Sequence, residues 1–407
     1  MRTVDTLRAV IRFKRVETDL VERRLAKAAS VADLRRIAKR RLPGGVFDYI
    51  DGAAEDERTL AANSAAFAAT TFRPRVLRGL DKVDIGSTIL GHPVDFPLVL
   101  APTGFTRIAD PEGELAVARA AARAGLPYTL STLSTRSIEE VRAVSDGRLW
   151  FQVYAWRDRG LVEEMIRRAA AAGYEALVLT VDTAVFGRRE RDVRRGFSLP
   201  PAIGPGTLVD GALHPAWTLS FLRGEPIRFA NVVGRDVGDG ASPVTLSDYV
   251  NSQFDPQLSW ADVDWLRSVW DGPIVVKGIQ TVADAVLAAE RGVDAIALSN
   301  HGGRQLDGAP AAFSLVAPVA DAVNGRTEII CDGGVRRGSD IVKAVAAGAT
   351  AAMAGRAYLY ALGAAGERGV DRLLDWWRND VTRTMTLLGA GTIAELDRAL
   401  LEPETEQ

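Results

Sequence analysis

From residue 96 to residue 355 the chain alternates between two patterns. Short, continuously apolar runs are followed by Ala-rich stretches whose apolar positions recur at helical spacing. The runs are PLVLAPTG (97–104), PYTLST (127–132), LWFQVY (149–154), ALVLTVD (176–182), PIVVKG (273–278), AIALSN (295–300), EIICDGG (328–334) and AAMAG (351–355). Between them lie ELAVARAAARAG, VEEMIRRAAAAG, VADAVLAAERG and SDIVKAVAAG, each closing on a glycine suited to ending a helix. Strands apolar throughout are buried on both faces, as in parallel sheets. Eight such units in succession predict an α/β fold, a (β/α)8 TIM barrel. An open doubly wound sheet is the competing architecture; the eight-fold count and the lack of a GxGxxG turn weigh against it.

The same pattern divides the chain. Residues 1–95 are read as an N-terminal helical extension, 96–390 as the barrel, and 391–407 as a C-terminal tail. Within the extension, VADLRRIAK (31–39) has amphipathic helical spacing, with Ser30 as N-cap and Pro43-Gly44-Gly45 as the stop. Its basic residues Arg35, Arg36, Lys39, Arg40 and Arg41 read as a solvated face, with anionic lipid as the alternative partner. Strands four and five are separated by an insertion, residues 186–271, far longer than an ordinary connection. It reads as a lid, a membrane-facing patch or simple elaboration; Trp217, Leu219, Phe221 and Arg223 suit an interfacial segment, and 205–245 is the stretch for peripheral membrane contact.

Composition narrows the function classes. Of 407 residues, 47% are hydrophobic, ample for a large core, and a formal net charge of −2 supplies no field for nucleic acid. A single cysteine, Cys331, excludes an internal disulfide and suggests a reducing compartment. No secretory pattern and no run long enough to span a bilayer stand in the sequence. The expectation is a cytoplasmic protein, or one held peripherally on the inner face of the cell membrane.

Active sites of such barrels form at the C-terminal strand ends. Here those ends carry Thr103-Gly104, Ser131, Gln152 with Tyr154, Thr180 with Asp182, Lys277, Ser299 with Asn300, Asp332, and Gly355 with Arg356. Any one of these suits a capped or hydrogen-bonded core residue; a full ring of them points to a site. The loops after strands seven and eight, DGGVRRGSD and AGRAYLY, suit a phosphate through glycine amides, Arg336 and Arg356. Lys277 ends an apolar strand and needs a negative partner: a Schiff-base role, stabilisation of an anionic cofactor ring and a structural ion pair all satisfy that need. Only three histidines are present, and their spacing does not suit zinc. His301 leaves a buried strand into a Gly-Gly turn. Asp182 is placed to orient its ring and Arg304 to hold a carboxylate, a set suited to proton abstraction from an acid.

SNHGGRQLDGAP resembles the signature of the FMN-dependent 2-hydroxy acid dehydrogenase/oxidase family. FDYIDGAAEDERTL near 47, APTGF at 101, WFQVYAWRDR at 150, LTVDTAVFGRRERD at 179, VVKGIQT at 275 and DGGVRRGSDIVKA at 332 look like further family blocks, in family order. The resemblance implies His301 as the base with Asp182 behind it, and Arg189, Arg304 and Tyr49 on the substrate carboxylate. It implies Tyr154 at the substrate hydroxyl and Lys277 against the flavin. Pro102, Thr103, Gly104, Ser131, Gln152 and Thr180 would line the flavin ring. Ser299 joins the cofactor set, and Asp332, Gly334, Arg336, Gly355 and Arg356 would hold the ribityl phosphate. Within the family, bacterial quinone-linked L-lactate dehydrogenases and mandelate dehydrogenase look most similar, through Gly104 and DGALHPAWTLSFL. The resemblance therefore implies FMN as cofactor, L-lactate as substrate, a quinone as acceptor and a homotetramer. The alternatives are an oxygen-reducing oxidase, a mandelate dehydrogenase and a non-redox FMN barrel such as an isomerase.

Overall fold

The computed structural model describes residues 17–195, 204–232 and 252–403. Eight parallel strands close into a barrel: β1 (Leu98–Leu100), β2 (Tyr128–Ser131), β3 (Leu149–Val153), β4 (Ala176–Thr180), β5 (Ile274–Ile279), β6 (Ala295–Leu298), β7 (Glu328–Asp332) and β8 (Ala351–Ala354). Each strand pairs with its neighbours in chain order, and β8 pairs with β1. Closure disposes of the open-sheet alternative and leaves no edge strand in the barrel.

The continuous apolar runs are explained by two packed surfaces. Val99, Trp150, Val178, Val275, Ala297, Ile330 and Met353 fill the interior, while the intervening residues face the helices. A short hairpin, Ser87–Ile89 with His92–Val94, plugs the N-terminal mouth by burying Ile89 and Val94 against the interior set. The four predicted helix-ending glycines, Gly125, Gly173, Gly292 and Gly348, all have positive φ, as a left-handed helix exit requires.

The extension is tied to the barrel more closely than a solvated helix would be. Helix Val31–Arg41 starts at Ser30, whose hydroxyl accepts the Asp33 N–H. It buries Leu34 and Ala38, and Leu42 follows, against helix Arg356–Ala365. Two of its arginines have structural partners: Arg35 pairs with buried Asp51, and Arg41 donates to the Gly363 and Ala364 carbonyls. Pro43 does not simply stop the chain, because Gly44 opens a second helix, Gly44–Asp51, at once.

Two other boundaries fall differently from expectation. Helix Ala261–Val269, inside the span read as insertion, occupies the fourth outer-helix position of the barrel. Its Trp265 lies under Arg159, and its Asp264 pairs with Arg291. The residues read as a tail are built in: Leu401–Pro403 pairs antiparallel with Thr70–Phe72 of the extension. Leu34 is fully buried, so Leu34→Ala should cost about 2–5 kcal/mol, measured by urea unfolding. A loss below 1 kcal/mol would mean that the extension is not seated on the barrel core.

Candidate active site

One cleft opens at the C-terminal ends of the strands, and the predicted ring of polar residues converges on it. Tyr49, Pro102, Thr103, Gly104, Ser131, Gln152, Tyr154, Thr180, Arg189, Lys277, His301, Arg304, Asp332, Gly334, Arg336, Gly355 and Arg356 all line it. Asp182 and Ser299 stand directly behind the lining.

His301 leaves β6 with φ of 56°, in the left-handed region that few non-glycine residues adopt. Its backbone N–H donates to the Ser299 hydroxyl at 3.0 Å, and its Nδ1 lies 2.8 Å from Asp182 Oδ1. Burial opposes ionisation of Asp182, but His301 and Lys277 together hold its carboxyl below the ordinary carboxylate range. Gly278 permits this approach, since a Cβ there would lie 2.8 Å from the Asp182 Cβ.

The unusual backbone at His301 is held from the far side. Asn300 and Asn63 exchange two amide hydrogen bonds of 2.8 Å, and Asn300 also accepts the Gly303 N–H. Asp307 accepts the N–H groups of Arg58 and Thr59, capping the helix that carries Asn63. Asn63 had no signal in the sequence, being one of several polar residues in the helix Arg58–Ala69. Asn300 and Asp307 belong to the SNHGGRQLDG segment, and their work there is scaffolding.

Lys277 is buried, with Nζ 2.7 Å from Asp332 Oδ2 and 3.0 Å from the Ser299 hydroxyl. Burial disfavours its charge, yet Asp332 and Asp182 raise its pKa above the usual lysine value. The ion pair weighed in the sequence is therefore real, and the ammonium lines the cleft as well. Ser299, expected among the cofactor ligands, accepts from Lys277 and the His301 N–H and donates to Asp332 at 2.7 Å.

At the mouth, Arg304 and Arg189 both face the Tyr49 ring, at 5.0 and 5.6 Å from its centroid. Arg304 donates only to carbonyls, those of Tyr49 and Gly52. Burial, and then Arg189 beside it, push its pKa down; Arg189 has Asp192 at 3.8 Å, but among the described residues no carboxylate pairs with Arg304. Burial and the Asp182 charge push the Tyr154 phenol up, so it remains a donor. Tyr154, Phe254 and Phe186 form an aromatic wall, with edge-on contacts at 5.0 and 4.4 Å. Neither phenylalanine was picked out in the sequence, because nothing in their local pattern marks them.

At the opposite end Arg356 donates to the carbonyls of Ile50, Gly302 and Gly52, which leaves two of the five guanidinium N–H groups. Asp340 takes the backbone N–H groups of Arg336 and Arg337. The cationic part of this end is thus the Arg336 and Arg356 side chains rather than those amides.

A family model for FMN-dependent dehydrogenases matches residues 38–403. The chain belongs to the FMN-dependent dehydrogenase family. A Mycobacterium tuberculosis protein provisionally designated an L-lactate dehydrogenase is 48% identical over 394 residues, covering 97% of this chain and 94% of its own. Glycolate oxidase 5 of Oryza sativa subsp. japonica is 41% identical, over 92% of this chain and 95% of its own. The crystal structure of the monotopic membrane protein (S)-mandelate dehydrogenase superposes with a TM-score of 0.89 at 38% identity, covering 93% of this chain and all of that one.

The family cofactor is FMN, and the lining fits it. The Gln152 amide Nε2 is buried without a partner among the described residues, while its Oε1 accepts from the Ser131 hydroxyl and the Thr132 N–H. A buried donor left open beside a buried ammonium calls for an acceptor-rich ring. The relatives' substrates share a carboxylate, which the Arg304 corner is short of. Oxalate at about a hundred times its Kd should stabilise the holoprotein by about 2.7 kcal/mol, read as a rise in melting temperature. Arg304→Met should remove the rise; no rise in the parent protein would eliminate the anion clamp.

Proposed function

We propose that this chain oxidises L-lactate to pyruvate and passes the electrons to a quinone at a membrane surface. The observation that carries the reading is the His301–Asp182 pair facing the same cleft as the Arg304–Arg189–Tyr49 corner. The corner binds the substrate carboxylate by charge-assisted hydrogen bonds, and the Tyr154 hydroxyl meets the substrate hydroxyl. His301 takes the proton, and Asp182, held ionised, stabilises the imidazolium that results.

FMN supplies the two-electron acceptor. Pro102, Thr103, Gly104, Ser131, Gln152 and Thr180 line the space for its ring, and Lys277 provides positive charge beside it. Arg336 and Arg356, with the Gly334 and Gly355 turns, take the phosphate. Asp332, being negative and paired with Lys277, would meet the hydroxyl-bearing chain rather than the phosphate itself.

Gly104 supports a dehydrogenase over an oxygen-reducing oxidase. The support comes from the family resemblance, in which oxygen-using members commonly carry alanine at this place; here a Cβ at 104 would sit 3.2 Å from the Leu133 Cβ and carbonyl oxygen. The aromatic wall gives specific support to a second substrate, an aryl acid such as mandelate. Anaerobic flavin reduction by L-lactate, glycolate and (S)-mandelate, followed by mixing with oxygen or a soluble quinone, separates these readings. Fastest bleaching by lactate with faster re-oxidation by quinone is expected; rapid re-oxidation by oxygen would make the protein an oxidase. His301→Gln should slow the bleaching by roughly 10²–10⁴-fold, and an unchanged rate would remove His301 as base.

The insertion supports membrane contact. Helices Pro205–Leu213 and Pro215–Arg223 form a hairpin with Leu208, Val209, Leu213 and Leu222 well exposed. Trp217, read as interfacial, points the other way, donating to the Ile108 carbonyl at 2.8 Å. Residues 233–245 of the expected contact lie outside the described residues. No described helix is long and apolar enough to cross a bilayer. Co-sedimentation with anionic vesicles should be lost when Leu208, Leu213 and Leu222 are replaced together by Asp. Absence of binding by the parent protein would end the membrane reading.

A further inference from the structure

The SNHGGRQLDG segment contains one polar side chain that neither the chemistry nor the Asn63 scaffold uses. Gln305 follows Arg304 and turns its side chain across the rim to the loop after β4. Its amide Nε2 donates to the Asp182 carbonyl at 3.1 Å and the Val185 carbonyl at 2.8 Å, while its Oε1 accepts the Gly187 N–H at 3.1 Å. The donor and acceptor sides of one planar amide thus hold backbone on both sides of Phe186. The two loops are pressed together here: a Cβ at Gly187 would lie 2.2 Å from the Arg304 carbonyl oxygen.

Phe186 lines the cleft with its ring against Phe254, which in turn meets Tyr154. The residues that follow lead to Arg189 at the mouth and on along the insertion, so this backbone is a lever with the substrate pocket at its near end. We infer that Gln305 is a positioning residue that sets substrate side-chain selectivity by fixing Phe186 in the pocket wall. The inference rests on the 2-hydroxy acid oxidation proposed for this cleft. A side chain that only held the fold together would affect melting temperature and flavin content. One that fixes Phe186 changes which acid is preferred, per bound flavin.

The test is a double-mutant cycle on the holoenzyme. Gln305→Met keeps the length and loses the amide; Gln305→Glu, when ionised, keeps an acceptor for Gly187 and loses both donors. Phe186→Ala removes the ring. For each protein, anaerobic flavin-reduction rates and half-saturation concentrations are measured with L-lactate and (S)-mandelate and normalised to bound flavin. Either Gln305 variant should raise the half-saturation concentration roughly 10- to 100-fold and shift the lactate-to-mandelate preference in the direction Phe186→Ala shifts it. Combined with Phe186→Ala, it should add little further change in preference, because coupled residues are not additive. An unchanged preference in both Gln305 variants, or full additivity with Phe186→Ala, overturns the inference, whatever happens to stability. Wild-type flavin that no 2-hydroxy acid bleaches would instead sink the activity itself, and this inference with it.

Discussion

Charges buried at the rim of a closed barrel need partners there, and an ion pair and a carboxylate–imidazole pair meet that need. Lys277–Asp332 and His301–Asp182 lie on neighbouring strand ends, joined by the Ser299 hydroxyl, which touches Lys277, Asp332 and the His301 backbone. Breaking one member would leave its partner charged in a site that water does not reach freely, a costly state. Asp182 is therefore held in its charged form by His301 and Lys277, and Lys277 by Asp332 and Asp182. The cleft keeps a cation and a carboxylate-backed imidazole within one small space without either neutralising the other's function. Selection of ligands follows from what remains unpaired: an open amide donor at Gln152 and an excess of guanidinium at both ends.

The barrel supplies the strand ends, but the extension closes the cleft around them. Helix Gly44–Asp51 brings Tyr49 under the two arginines, and its last residue, Asp51, is clamped by Arg35, Arg191 and Tyr360. Helix Arg58–Ala69 brings Asn63 to the His301 loop. Gly44 at the start of the first helix donates to Asp210 of the insertion at 2.6 Å. Three regions distant in sequence thus meet at the carboxylate end. Its geometry depends on packing between them as well as on the strands.

Much of this was legible in the sequence because barrel strands are short, apolar throughout and evenly spaced. The eight runs coincide with the eight strands, and the glycine-terminated helices follow them. His301, Asp182 and Lys277 were legible for the same reason: polar groups at the ends of such strands are expensive unless used. What escaped were partners set by tertiary contact alone. Phe254, Asn63 and the packing of Trp217 carry no local period or motif. The insertion was read as running to Asp271 because helix Ala261–Val269 reads like any amphipathic stretch until its neighbours are known. Ser299 was assigned by position, and position could not say that its hydroxyl faces Lys277 and Asp332.

The pairing of Thr70–Phe72 with Leu401–Pro403 joins the extension to a strand far away in sequence. Contacts of such separation close a long loop, and that entropy must be met before they stabilise anything. The extension buries Leu34, Ala38 and Leu42 against helix Arg356–Ala365, so its docking belongs late in folding, after the barrel that supplies its partners. The cleft is completed on the same timetable, because Tyr49 and Asn63 arrive with the extension.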